Sequence, residues 1–144
     1  MSSAASVTPT DVLARRRRVI LDGDADGFAD LFAPDGVIEM PFAGTLDVPT
    51  RIEGREAIRA YARQMMASPL RLEEFEVVAL HQTLHPEVVV AEMRTSVTVA
   101  TTGRSASVAS VQILQITDGL IRLLRNFADP RVLVDVVGER HPTD

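Results

Sequence analysis

The sequence predicts an α+β domain in which three helices precede a long, mostly antiparallel sheet. Three observations carry that expectation. In the first half apolar residues recur at helical spacing, and from Leu70 onward the pattern changes to period two. The second half is then cut into four candidate strands by His85-Pro86, Thr102-Gly103 and Asp118-Gly119. Helices grouped ahead of strands, rather than alternating with them, point away from a parallel α/β arrangement.

Thr8-Pro9-Thr10-Asp11 reads as a helix start, with Thr8 as N-cap, Pro9 at the first helical position and Asp11 near the positive end of the dipole. This helix should run to about Leu21. Asp22-Gly23-Asp24 then stops it, because Gly23 tolerates the left-handed conformation of a C-terminal cap and Asp24 is suited to cap a short second helix ending near Phe32. Ala33-Pro34-Asp35-Gly36 is a turn signal, and residues 36–42 behind it have strand-forming character. Residues 43–53, with Gly44 and Pro49, read as a loop. Gly54 opens a third helix whose apolar face carries Ile58, Tyr61, Ala62 and Met65. The strands are expected at 71–82, 87–101, 105–117 and 120–127, and Asp118-Gly119 is a favoured tight-hairpin pair, so the last two should be antiparallel neighbours.

A chain of 144 residues, 46% of them apolar, is long enough for one core and short for two. The expected organisation is a flexible N-terminus (1–9), one domain (10–137) and a C-terminal tail (138–144). The absence of cysteine excludes disulfides, thiolate nucleophiles and cysteine-based metal sites. The N-terminal ten residues lack a basic leader with an apolar run, and no segment approaches the ~18 apolar residues of a membrane span, so a cytoplasmic protein without membrane contact is expected. A net charge of -5 argues against nucleic acid as a partner. The four arginines at 15–18 do not alter this, since consecutive helical residues point about 100° apart and form no single basic patch. His81 and His85 lie at a strand end beside Pro86, without the helical alignment or third ligand that zinc needs, so neither metal nor organic cofactor is expected.

The segments GDADGFADLFAPD, IEGREAIRAY and ITDGLIRLLRNFADP, in that order and spacing, resemble the nuclear transport factor 2-like superfamily. Its members include ketosteroid isomerases, SnoaL-like polyketide cyclases, limonene epoxide hydrolases and phenazine-biosynthesis A/B proteins. The resemblance covers roughly residues 10–137 and implies an α+β cone, a curved sheet wrapped around an apolar pocket, and a homodimer. Val88, Val90, Val97 and Val99 are candidate exposed strand residues for such an interface.

The same resemblance, followed position by position, removes the familiar chemistry. Met40, in I-E-M-P, stands where ketosteroid isomerases carry their catalytic aspartate. Gln112 and Asn126 stand where SnoaL-like cyclases carry a histidine and an aspartate. Met93 and Thr95, in AEMRTSV, with Asn126 again, replace the aspartate–arginine–aspartate set of limonene epoxide hydrolases. Tyr61 matches a pocket histidine of the phenazine-type proteins, and Arg16 lies near the offset of a pocket tyrosine in ketosteroid isomerases. Amides do not take a proton at neutral pH, but they orient a carbonyl or an enol.

Tyr61, Asn126, Gln112 and Arg16 are therefore the candidate catalytic residues. Each has a plainer alternative: a satisfied core tyrosine, amides bonded to each other or to backbone, and an arginine whose stem packs while its guanidinium reaches solvent or a surface carboxylate. By alternation Ile38 and Met40 face inward and Glu39 outward. Phe28, Phe32, Phe42, Met65, Met93, Thr95, Leu114 and Phe127 complete the expected pocket, and residues 128–137 close one end. Two functions fit: an isomerase, cyclase, lyase or dehydratase acting on a hydrophobic carbonyl or polyketide-like compound, or a non-catalytic binding protein for an apolar metabolite.

Overall fold

The computed structural model describes residues 7–46 and 49–137. The N-terminal tail up to residue 6 and the tail 138–144 lie outside the described residues. The first helix, α1, spans Pro9–Leu21 with Thr8 as N-cap. Thr8 and Asp11 form a reciprocal capping box, which satisfies two backbone donors that the helix start would otherwise leave open. Gly23 has φ 69, and Asp24 caps the short helix α2, Ala25–Ala29, by accepting from the Gly27 N–H. Helix α3, Arg55–Ala67, follows Gly54 and buries Ile58 and Ala62.

Six strands form one sheet: β1 (Phe32–Glu39), β2 (Arg51–Glu53), β3 (Leu70–Gln82), β4 (Val88–Val99), β5 (Ser105–Thr117) and β6 (Leu120–Ala128). Their order is β2-β1-β6-β5-β4-β3, so the four long strands form an antiparallel meander and β1 joins β6 in parallel. The β5–β6 hairpin pairs Thr117 with Leu120 across Asp118 and Gly119, both at positive φ (53 and 77). That is the backbone a two-residue type I′ turn requires.

Helices α1 and α3 cover one face of this sheet, and the core lies between. Phe32, Ile58, Leu114 and Ile121 are wholly buried, each contributing about 1.5–3 kcal/mol of burial. Along β4 the alternation is clean: Val89, Ala91, Met93, Val97 and Val99 are buried, whereas Glu92 and Arg94 are exposed. Of the four valines expected at an outer interface, only Val88 and Val90 therefore lie off the core face, both half-buried.

Three expectations are corrected. The Ala33-Pro34-Asp35-Gly36 segment is part of β1, which starts at Phe32, and a register shift between Phe32 and Val37 absorbs it. A Cβ on Gly36 would approach the Ile121 carbonyl oxygen to 2.9 Å, so the glycine serves close packing against β6 more than a turn. Residues 43–53 contain a 3-10 turn, Ala43–Leu46, and the edge strand β2, antiparallel to β1. Helix α2 ends at Ala29, before Phe32. The closing segment is a helix, α4, Pro130–Val137.

Candidate functional site

The inner faces of β3–β6 curve away from the helices at one end and leave a cavity of about 650 Å³. That is the size of a small-molecule site. Its walls come from the α1–α2 turn, from α3, from the segment after β1 and from the four long strands. Apolar groups dominate, among them Phe28, Met40, Met65, Met66, Phe75 and Val97. Tyr61, Thr95, Ser110, Gln112 and Asn126 supply the inner polar groups, and Asp22, Arg71 and Asp129, all exposed, edge the mouth.

Gln112 and Asn126 are paired residues of β5 and β6, so their side chains emerge side by side on the concave face. The Gln112 Nε2 donates to Asn126 Oδ1 at 3.4 Å, and Arg16 Nη1 donates to Gln112 Oε1 at 2.7 Å. Because a guanidinium is only a donor, the Arg16 contact fixes which end of the Gln112 amide is oxygen. The chain then has one direction, and among the described residues no acceptor is recorded for Asn126 Nδ2, on a residue that lines the cavity.

Arg16 is only 1% exposed. Its Nη2 lies 3.7 Å from Met93 Sδ, its guanidinium carbon is 4.8 Å from the Phe75 ring centroid, and its Nε has no partner. Burial lowers its pKa to about 9, which leaves it cationic at neutral pH. No carboxylate pairs with it among the described residues.

Tyr61 projects from α3 with its hydroxyl 3.7 Å from Met40 Sδ, a weak acceptor. Its proton is free for a stronger one. Burial pushes its pKa above the ordinary 10.0, so it is a neutral donor under physiological conditions. Of the two mouth carboxylates, Asp129 accepts from the Arg131 backbone and guanidinium and is held below its usual range by them. Among the described residues Asp22 has no side-chain hydrogen-bond partner.

Tyr61, Gln112, Asn126, Phe28, Met40, Phe42, Met65 and Thr95 thus line the cavity, as the residue pattern suggested. Phe32, Ile38, Met93 and Leu114 do not: each is 4% exposed or less and belongs to the packed core, one layer deeper than the wall. Phe127 alternates with Asn126 and is not part of the wall, but its ring packs on that of Phe42, centroid to centroid 5.6 Å. Arg16 neither escapes to solvent nor enters the cavity; it is sealed behind Phe75 and Gln112.

The sequence reading missed Ser110, Val108, Asp22 and Asp129 as wall residues. Ser110 and Val108 were accessible by counting back in twos from Gln112. Leu72 and Phe75 were harder, because a register shift between Leu72 and Glu74 breaks the period. Asp22 read only as a helix stop. Glu39 faces away from the cavity, bonded to Arg125 at 2.7 Å and to Arg51. Among the described residues no group of three potential ligands is placed to hold a metal ion.

A SnoaL-like domain model matches residues 13–124. An uncharacterised PhzA/B-like protein of Pseudomonas aeruginosa is 31% identical over 128 residues, covering 89% of each chain. The crystal structure of a Bacillus subtilis protein provisionally named an isomerase superposes with a TM-score of 0.82 at 23% identity, covering 89% of this chain and 91% of that one. One provisionally named a polyketide cyclase, from Xanthomonas campestris, gives 0.70 at 18% identity, covering 90% and 96%. At these identities the two structural likenesses establish the fold alone.

Proposed function

The chain belongs to the SnoaL-like domain family, and from that membership and the cavity together we propose that it is a cofactor-independent enzyme of isomerase, cyclase, lyase or dehydratase type acting on a hydrophobic carbonyl or polyketide-like compound. The observation that carries this reading is the convergence of Tyr61, Gln112 and Asn126 on one apolar cavity, with the Tyr61 hydroxyl and the Asn126 Nδ2 both lacking a strong acceptor among the described residues. Donors fixed before the ligand arrives stabilise negative charge developing on a carbonyl oxygen, and each is worth about 3–4 kcal/mol in known oxyanion holes. Enolisation, cyclisation and elimination all pass through such charge.

A proton must also leave carbon, and among the described residues the inner wall holds no carboxylate or histidine. Among the described residues Asp22 is the wall carboxylate whose side chain has no protein partner, so in this reading it accepts the proton while the amides and Tyr61 hold the enolate oxygen. Incubation with small ketones and polyketide-like substrates, comparing the wild type with Tyr61→Phe, Asn126→Ala and Asp22→Asn, tests this. Turnover reduced at least about tenfold in each variant supports it; turnover indifferent to all three sinks it.

The lack of a carboxylate or histidine deep in the wall, among the described residues, favours one other reading, a non-catalytic binder of the same compounds. Native mass spectrometry of protein purified from its own cells separates the two, since a stoichiometric, chemically unaltered small molecule favours the binder.

A further inference from the structure

We propose that the cavity selects ligands carrying an anionic oxygen, a carboxylate or the acidic enol of a β-dicarbonyl compound, seated on Gln112 and Asn126 with Arg16 as the buried counter-charge behind them. This rests on the reading of the cavity as a ligand site and narrows it to one chemical class.

A guanidinium removed from water costs several kcal/mol unless other groups compensate it, which is why buried charges are almost always paired. Arg16 is 1% exposed and, among the described residues, carries no carboxylate partner, one neutral oxygen acceptor, a thioether, an aromatic face and an orphaned Nε. The protein thus retains an uncompensated positive charge against the two residues, Gln112 and Phe75, that separate it from the cavity. An anion on the other side of that thin wall supplies the missing charge. The amide chain transmits the preference in its hydrogen bonds as well. Arg16 polarises Gln112, Gln112 donates to Asn126, and the end presented to the ligand is an N–H, so the floor rewards acceptors.

The remaining charges that line the cavity, Arg71, Asp22 and Asp129, are exposed at its mouth, and Asp129 is paired with Arg131. Exposed charges there are screened by water and salt, whereas Arg16 is not. Arg16 acts as a positioning and charge-selecting residue and touches no ligand itself.

Calorimetric titration with adamantane-1-carboxylate and with 1-acetyladamantane, which share one apolar body and differ in charge, tests the proposal at pH 7.5. The wild type is expected to bind the carboxylate about tenfold more tightly or better. Arg16→Gln, which keeps a donor for Gln112 and removes the charge, is expected to lose that preference while its affinity for the ketone stays within about twofold. Arg16→Met repeats the test without the donor. The wild-type comparison stands even if neither variant folds. A ketone preference in the wild type, or a carboxylate preference unchanged in either variant, overturns the proposal and leaves the carbonyl pocket intact. Binding of neither compound overturns both.

Discussion

Arg16 donates to Gln112 across 2.7 Å in the interior of the protein, joining α1 to β5 through a cation and a neutral amide. The stability of each residue therefore depends on the other. Removing Gln112 alone, as Gln112→Leu, leaves the guanidinium without an oxygen acceptor and is expected to cost about 3 kcal/mol or more. Replacing both, as Arg16→Met with Gln112→Leu, removes the buried charge altogether and is expected to recover most of that loss. Urea unfolding of the two single variants and the double variant checks this, and strictly additive losses would contradict it.

Tyr61 is the only tyrosine and the chain has no tryptophan, so its absorbance near 295 nm reports one group. Burial raises its pKa, which means the folded state holds the phenolic proton more tightly than the unfolded one. The linked stability is fully present below the unfolded value of about 10 and is lost as pH rises through the higher folded value. Spectrophotometric titration is expected to place the folded midpoint above 10. Tyr61→Phe should flatten this part of the alkaline stability profile; a midpoint at or below 10 contradicts the buried placement.

Glu39 joins β1 to the parallel neighbour β6 through Arg125 and to β2 through Arg51. Arg125 lowers its pKa, so this contribution is present above the ordinary 4.5 and lost as pH falls through the lower folded value. Glu39→Gln is expected to make thermal stability less steep in that acid window, with little change in substrate or ligand affinity, because the side chain faces away from the cavity. The pair is partly exposed, and added salt should shrink the difference.

Much of this arrangement was legible in the residues, and the failures have physical causes. Period two in the second half located the four long strands to within about two residues, since one buried face imposes alternation along most of their length despite the register shifts in β3. Asp118-Gly119 named its own turn. Ala33-Pro34-Asp35-Gly36 misled, because the same residues that favour turns also permit a bulge pressed against β6. Depth was the second limit. Phe32, Ile38, Met93 and Leu114 do face inward, but periodicity assigns a face and says nothing of which inward residues meet a helix and which meet empty space. Arg16 showed a third. Its place on the apolar face of α1 was readable, whereas its partner lies 96 residues away in the chain.

The central claim is that the wall of the cavity donates hydrogen bonds to a ligand carbonyl. Isotope-edited infrared difference spectra of bound 1-acetyladamantane, unlabelled against 13C=O, measure this most directly. The account predicts a carbonyl stretch displaced to lower frequency than in cyclohexane, moving back in Asn126→Ala and in Tyr61→Phe. A bound ketone whose stretch stays at its cyclohexane position in the wild type would contradict it.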